Sequence, residues 1–73
     1  MRIGVPKETR AGETRVAATP DSVKKLKKKG FTLVVERGAG AAAHYPDEAY
    51  TAAGADLGDS QAAFGCEVVL KIH

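Results

Sequence analysis

Short apolar runs alternate with polar stretches along this chain, and each junction carries a turn or capping signal. Arg2-Ile3-Gly4-Val5 predicts a short strand, and Pro6 ends it, because proline has no N–H for a sheet ladder. Residues 7–14 are polar and include Gly12, so they read as loop. Arg15-Val16-Ala17-Ala18 is apolar apart from its arginine and reads either as a short extended segment or as a packed approach to a helix. Thr19-Pro20-Asp21-Ser22 predicts a helix start: Thr19 caps free N–H groups, Pro20 suits the first helical position and Asp21 suits the positive end of the dipole. The helix then runs to Lys29 and stops at Gly30. Val23 and Leu26 form its buried stripe, and lysines fill the remaining arc.

Residues 31–36 (FTLVVE) are β-branched and almost continuously apolar, as a strand covered on both faces should be. Strand, helix and strand make a right-handed βαβ unit with a parallel pair. Residues 46–53 predict a second helix, with Ala49, Tyr50 and Ala53 on one face and Gly54 as its stop. Ala55-Asp56-Leu57 reads as a brief strand or a packed connector, and Asp59 caps a short helix that runs through Phe64 to Gly65. Residues 67–72 (EVVLKI) predict a third good strand, whose end reaches the carboxyl edge of the sheet, where open α/β sheets bind ligands. The expected fold class is α/β: a short parallel sheet of about three strands with flanking helices, a Rossmann-like or flavodoxin-like half domain, truncated. The first strand is expected between the second and third.

Length and composition restrict this picture. Seventy-three residues make one domain at most. A chain of this size buries roughly 60% of its unfolded surface, and a core built from Val, Ile, Leu and many alanines predicts low stability for the piece alone. The net charge of +2 is concentrated in the lysines of residues 24–29, too little to argue for nucleic acid. Cys66 is the only cysteine, which excludes an internal disulfide and a cysteine-based metal site. No apolar run approaches the ~20 residues that span a bilayer, and the N-terminus has no signal-peptide core. The expected location is cytoplasmic.

Arg15 is the leading chemical candidate. Expected between packed neighbours, it reads as an anion clamp, since a guanidinium grips a planar carboxylate with two N–H groups. The competing reading is a structural salt bridge with Glu8 or Glu13. The lysine-rich helix face reads as solvated rather than phosphate-binding, because no aromatic residues interleave with it. Residues 37–43 (RGAGAAA) match G-x-G-x-x-A after a strand. Against dinucleotide binding, the next good helix start is Pro46-Asp47-Glu48, so pyrophosphate would not meet a helix N-terminus, and Asp56 is poorly placed for a ribose. A glycine turn that lets the backbone pack closely is the expected role. His44 reads as a surface residue, His73 carries no assignment and Cys66 reads as buried.

The opening stretch, Arg2-Ile3-Gly4-Val5-Pro6-Lys7-Glu8 followed by Glu13-Thr14-Arg15-Val16-Ala17-Ala18-Thr19-Pro20, resembles the N-terminus of the alanine dehydrogenase / proton-translocating NAD(P) transhydrogenase alpha-subunit group. The resemblance extends through Lys29-Gly30-Phe31, Val34-Val35-Glu36, Gly38-Ala39-Gly40, residues 47–50, Ala53-Gly54-Ala55 and Val68-Val69-Leu70-Lys71. The stretch from Gly58 to Cys66 looks shorter than usual in the group. Ala18 leans toward the transhydrogenase side, since alanine dehydrogenases more often carry a larger apolar residue there. The resemblance implies that residues 1–73 are the N-terminal portion of the group's first domain, with the cofactor-binding domain absent. It implies an N-terminal fragment of the NAD(H)-binding alpha subunit, inactive alone. The full enzyme would move hydride between NAD(H) and NADP(H), coupled to proton translocation. Implied partners are the rest of the alpha subunit and the membrane and NADP-binding subunit, with a homodimer in the full enzyme. The implied location is peripheral to the inner membrane through those partners. NAD and NADP are the cofactors of the full enzyme, and none is expected for this chain alone.

Two residues carry over from the alanine dehydrogenase pattern. Arg15 matches the arginine that holds the substrate carboxylate. Lys71 matches the lysine that contacts a substrate carbonyl or carboxylate oxygen, a substrate-binding and catalytic role; the bland alternative for Lys71 is a solvated strand end. Both are expected along the same edge of the sheet. An alanine dehydrogenase fragment remains a rival reading, as does a free-standing small α/β binding or assembly module.

Overall fold

The computed structural model describes residues 1–72. The elements in order are β1 (Arg2–Val5), α1 (Pro20–Lys28), β2 (Thr32–Glu36), a 3₁₀ turn (Ala41–Ala43), α2 (Asp47–Ala52), β3 (Asp56–Gly58), α3 (Ser60–Phe64) and β4 (Val68–Val69). All pairings are parallel and the sheet order is β3-β2-β1-β4. The first strand therefore lies between the second and the last, as expected. A fourth strand is added at the β2 edge, because Ala55-Asp56-Leu57 resolves to a brief strand whose Asp56 and Leu57 pair with Val34 and Val35.

The two faces of the sheet are built differently. Side chains alternate across a strand, so the register Ile3↔Leu33 and Val5↔Val35 places four large apolar groups on one face. Val23 of α1 and Tyr50 of α2 pack over them, with Ala18, Ala39, Ala53 and Ala55, to form the main core. The opposite face carries Gly4 and Val34, and α3 lies on it. A Cβ at Gly4 would overlap the carbonyl oxygen of Ala63, so glycine there is what lets the α3 backbone rest directly on β1.

Local signals fix the helix ends. The Thr19 hydroxyl accepts the Ser22 N–H at 3.2 Å, and the Asp59 carboxylate accepts the Ala62 N–H at 2.8 Å. Tyr50 is the largest fully buried side chain, and its hydroxyl donates to the Ala18 carbonyl at 2.8 Å. Its ring meets Tyr45 edge-on at 6.4 Å between centroids. Burial first, then the nearby Tyr45 and Asp47, push the Tyr50 phenol up to about 12.

One expectation is corrected and one open alternative is decided. Residues 67–72 form a ladder only over Val68–Val69. Leu70 still donates to the Gly4 carbonyl at 2.9 Å, but the Ile72 N–H turns to the Glu8 carboxylate at 2.9 Å and leaves the sheet. Residues 15–18 form no strand, and the packed-approach reading holds. The Arg15 N–H is taken by the Glu13 side chain and the Ala18 carbonyl by Tyr50. His73 lies outside the described residues.

Candidate functional site

Sheet order makes one place on this molecule special. From β1 the chain steps outward through β2 to β3, then returns to the other side of β1 for β4. The loops after β1 and β4 thus leave neighbouring strands at a topological switch point, the position where open α/β sheets form a ligand crevice beyond their carboxyl ends. The loop after β1 brings Glu8, Glu13 and Arg15, and the segment after β4 brings Lys71.

Two nearly buried carboxylates organise this edge. The Glu8 side chain is 3% exposed and that of Glu13 is 6% exposed. Glu8 accepts the Ile72 N–H, and its other oxygen lies 3.6 Å from the Lys71 ammonium. It therefore ties the β4 exit to the β1 exit. Lys71 also lies 5.5 Å from the centre of the Phe64 ring, close enough for a cation–π contact. Glu13 holds Arg15 three times: one oxygen accepts the backbone N–H at 2.8 Å and Nε–H at 2.9 Å, and the other accepts Nη2–H at 2.9 Å. The hydrogen bond with Glu13 raises the Arg15 pKa first, followed by the Glu13 charge, against some desolvation, with Glu8 adding a further push.

The expectation that Arg15 sits between packed neighbours is not met. Its side chain is 67% exposed, because residues 14 and 15 lie on the surface and only Ala18 of residues 15–18 is fully buried. Its guanidinium is oriented by a carboxylate instead. The salt-bridge partner is Glu13, while Glu8 serves Lys71, a division that the sequence leaves open. Arg15 and Lys71 both lie along the carboxyl edge, and both feel Glu8. Chemically, the edge offers a planar fork and a point cation beside fixed acceptors, a set suited to a small anion with an adjacent polar oxygen. Sequence reasoning missed Glu8 as the tie between the two loops and Phe64 as the support under Lys71. Glu8 stands in the opening motif, but its partner is more than sixty residues away in sequence.

The turn at residues 38–40 does not fit a pyrophosphate. Gly38 has φ +80° and gives its N–H to the Asp47 carboxylate at 2.8 Å, so an anion already occupies the donor a phosphate would need. A Cβ at Gly40 would press on Tyr45 and Tyr50, which identifies close packing as the reason for that glycine. Asp56 is exposed at the start of β3, away from the carboxyl edge. His44 is exposed in a left-handed turn, and Cys66 is buried with its thiol donating to the Ala62 carbonyl at 3.3 Å. Lys24, Lys27 and Lys28 line a shallow surface groove with Ala53, on the helical face rather than the carboxyl edge. Among the described residues no group of three His, Cys, Asp or Glu side chains could hold a metal ion, and no helix is long and apolar enough to cross a membrane.

Comparison with known proteins agrees with this architecture. Over its full length the chain is 49% identical to an NAD(P) transhydrogenase alpha-subunit polypeptide of Rhodospirillum rubrum and covers 20% of that protein. The solved structure of an L-alanine dehydrogenase superposes with a TM-score of 0.95 at 40% identity, covering 97% of this chain and 20% of that one. The solved transhydrogenase from Sinorhizobium meliloti gives a TM-score of 0.93 at 44% identity, again over 97% of this chain and 20% of the other. The chain thus spans about one-fifth of the length of the relatives it matches. The family model "Alanine dehydrogenase/PNT, N-terminal domain" matches residues 4–73, and the chain belongs to that family.

Proposed function

We propose that residues 1–73 form the first portion of the NAD(H)-binding alpha subunit of a proton-translocating NAD(P) transhydrogenase, with the cofactor-binding domain elsewhere in the protein. The higher identity to the two transhydrogenase relatives than to the alanine dehydrogenase structure supports this assignment. In this reading the full enzyme moves hydride between NAD(H) and NADP(H). This chain works with the rest of the alpha subunit and with a membrane and NADP-binding subunit, as a homodimer held at the cytoplasmic side of the membrane through its partners. The chain alone transfers no hydride and binds NAD weakly at most. Saturable NADH fluorescence changes at micromolar concentration with residues 1–73 alone would overturn that last statement.

One observation supports the site: Lys71 pairs with Glu8 and the charge of Glu8 also reaches Arg15, in segments that leave neighbouring strands at the switch point. Arg15 is proposed to grip a carboxylate. Lys71 is proposed to bind the adjacent oxygen and, as a catalytic group, to polarise a carbonyl there. The same observation favours a second reading, an NAD-dependent alanine dehydrogenase, whose substrate is a small carboxylate. Assays on the full-length protein separate the two. Transhydrogenation without alanine-dependent NAD reduction supports the first. Alanine oxidation that is abolished by Arg15→Ala selects the second.

A further inference from the structure

We infer that Glu13 is a positioning residue for anion binding: it holds Arg15 by the inner side of the guanidinium and presents the outer side to the guest. The inference rests on the assignment of Arg15 to a bound carboxylate. A guanidinium carries five N–H donors in a rigid plane, arranged so that two separate pairs can each meet one carboxylate. Glu13 uses one pair, Nε–H and an Nη2–H, both at 2.9 Å. The remaining pair, from Nη1 and the second Nη2 hydrogen, makes no hydrogen bond among the described residues. The burial is unequal in the way the inference requires, since the carboxylate is 6% exposed and the arginine 67% exposed. An exposed arginine ordinarily samples many rotamers and loses that freedom when it binds. Here the backbone and side chain of Arg15 are both fixed by one acceptor before any guest arrives, so the outer pair is preorganised.

Glu13 therefore acts through geometry, at the expense of some positive potential. A glutamine in its place keeps the size and one oxygen but turns an N–H₂ group toward a guanidinium N–H, so the inner pair is broken. The alternative is that Glu13 competes with the guest, in which case removing its charge strengthens binding. The two mechanisms give opposite signs.

The test is calorimetric titration of pyruvate, a carboxylate with the adjacent carbonyl that Lys71 can meet, into the full-length protein and its variants. The wild type is expected to bind saturably. Loss of two charge-assisted hydrogen bonds in Arg15→Ala should weaken binding about a hundredfold, and loss of positioning in Glu13→Gln about tenfold. Adding Glu13→Gln to Arg15→Ala should weaken binding no further, because the positioning inferred for Glu13 runs through Arg15. Wild-type affinity in Glu13→Gln, tighter binding, or an additive loss in the double variant would each overturn the positioning role while leaving the Arg15 site standing. No pyruvate binding by the wild type would remove the site and the inference together. Only small shifts in melting temperature are expected across the set, and a large drop in Glu13→Gln would assign the residue to folding instead.

Discussion

The two faces of this sheet achieve burial in opposite ways. Under α1 and α2, Ile3, Val5, Leu33 and Val35 project large side chains into a space filled by Val23 and Tyr50. Under α3 Val34 is flanked by glycines: Gly4 offers no side chain, and a Cβ at Gly58 would sit 3.0 Å from the Ala62 methyl. The first face is stabilised by apolar area removed from water, the second by close approach of backbones around small residues. A deletion should therefore hurt one face and an addition the other.

Gly4→Ala is expected to have the largest effect. The new methyl overlaps the Ala63 carbonyl, backbone that cannot rotate away, and the loss should exceed about 3 kcal/mol, the upper range of overpacking. An unchanged urea midpoint would break the contrast between the faces. Leu33→Ala, on the other face, should cost about 3 kcal/mol through the cavity left under α1 and α2. One variant adds atoms and the other removes them, so the pair of midpoints sharpens the distinction. Tyr50→Phe leaves the Ala18 carbonyl without its donor and should cost about 1–2 kcal/mol.

That substitution also carries a pH signature. The native Tyr50 phenol stays protonated up to about 12, whereas an exposed one ionises near 10.0. Between those values the folded state holds more protons than the unfolded state, so stability must fall as pH rises through the interval. Unfolding free energies measured across it should decline in the wild type and lose this slope in Tyr50→Phe. Asp59→Ala removes the cap of α3 and should cost about 1 kcal/mol in a thermal melt. Arg15→Ala should move the melt least, because its side chain is exposed and Glu13 keeps the residue-15 backbone N–H as a donor.

What the sequence reveals follows how local each signal is. Thr19-Pro20 and Asp59 declare their helix starts within four residues, and both caps are present as read. The apolar run of β2 needs no distant information either. β3 is only three residues long, too short for alternation to separate a strand from a connector. The expected length of β4 is too great because Lys71 and Ile72 continue an apolar pattern whose N–H is claimed by Glu8, a residue at the other end of the chain. The site shows the same limit. That Arg15 and Lys71 share an edge can be reasoned from a parallel sheet. Which acid serves which cation cannot, because Glu8 and Glu13 are equally plausible until the β4 exit is placed against the β1 loop. Nor can the exposure of Arg15, whose apolar neighbours in sequence wrongly suggest enclosure.

The sheet order has a consequence for synthesis on the ribosome. Within this sheet β1 is made before its neighbours and gains β2 once residue 36 has emerged, but its other edge stays open until Val68 and Val69 appear. The Arg2 N–H meets Glu67 across a separation of 65 residues. Residues through Val69 must therefore leave the exit tunnel before β1 is flanked on both sides. Until then the nascent sheet offers a free strand edge beside apolar residues, the state in which a growing polypeptide most needs a chaperone.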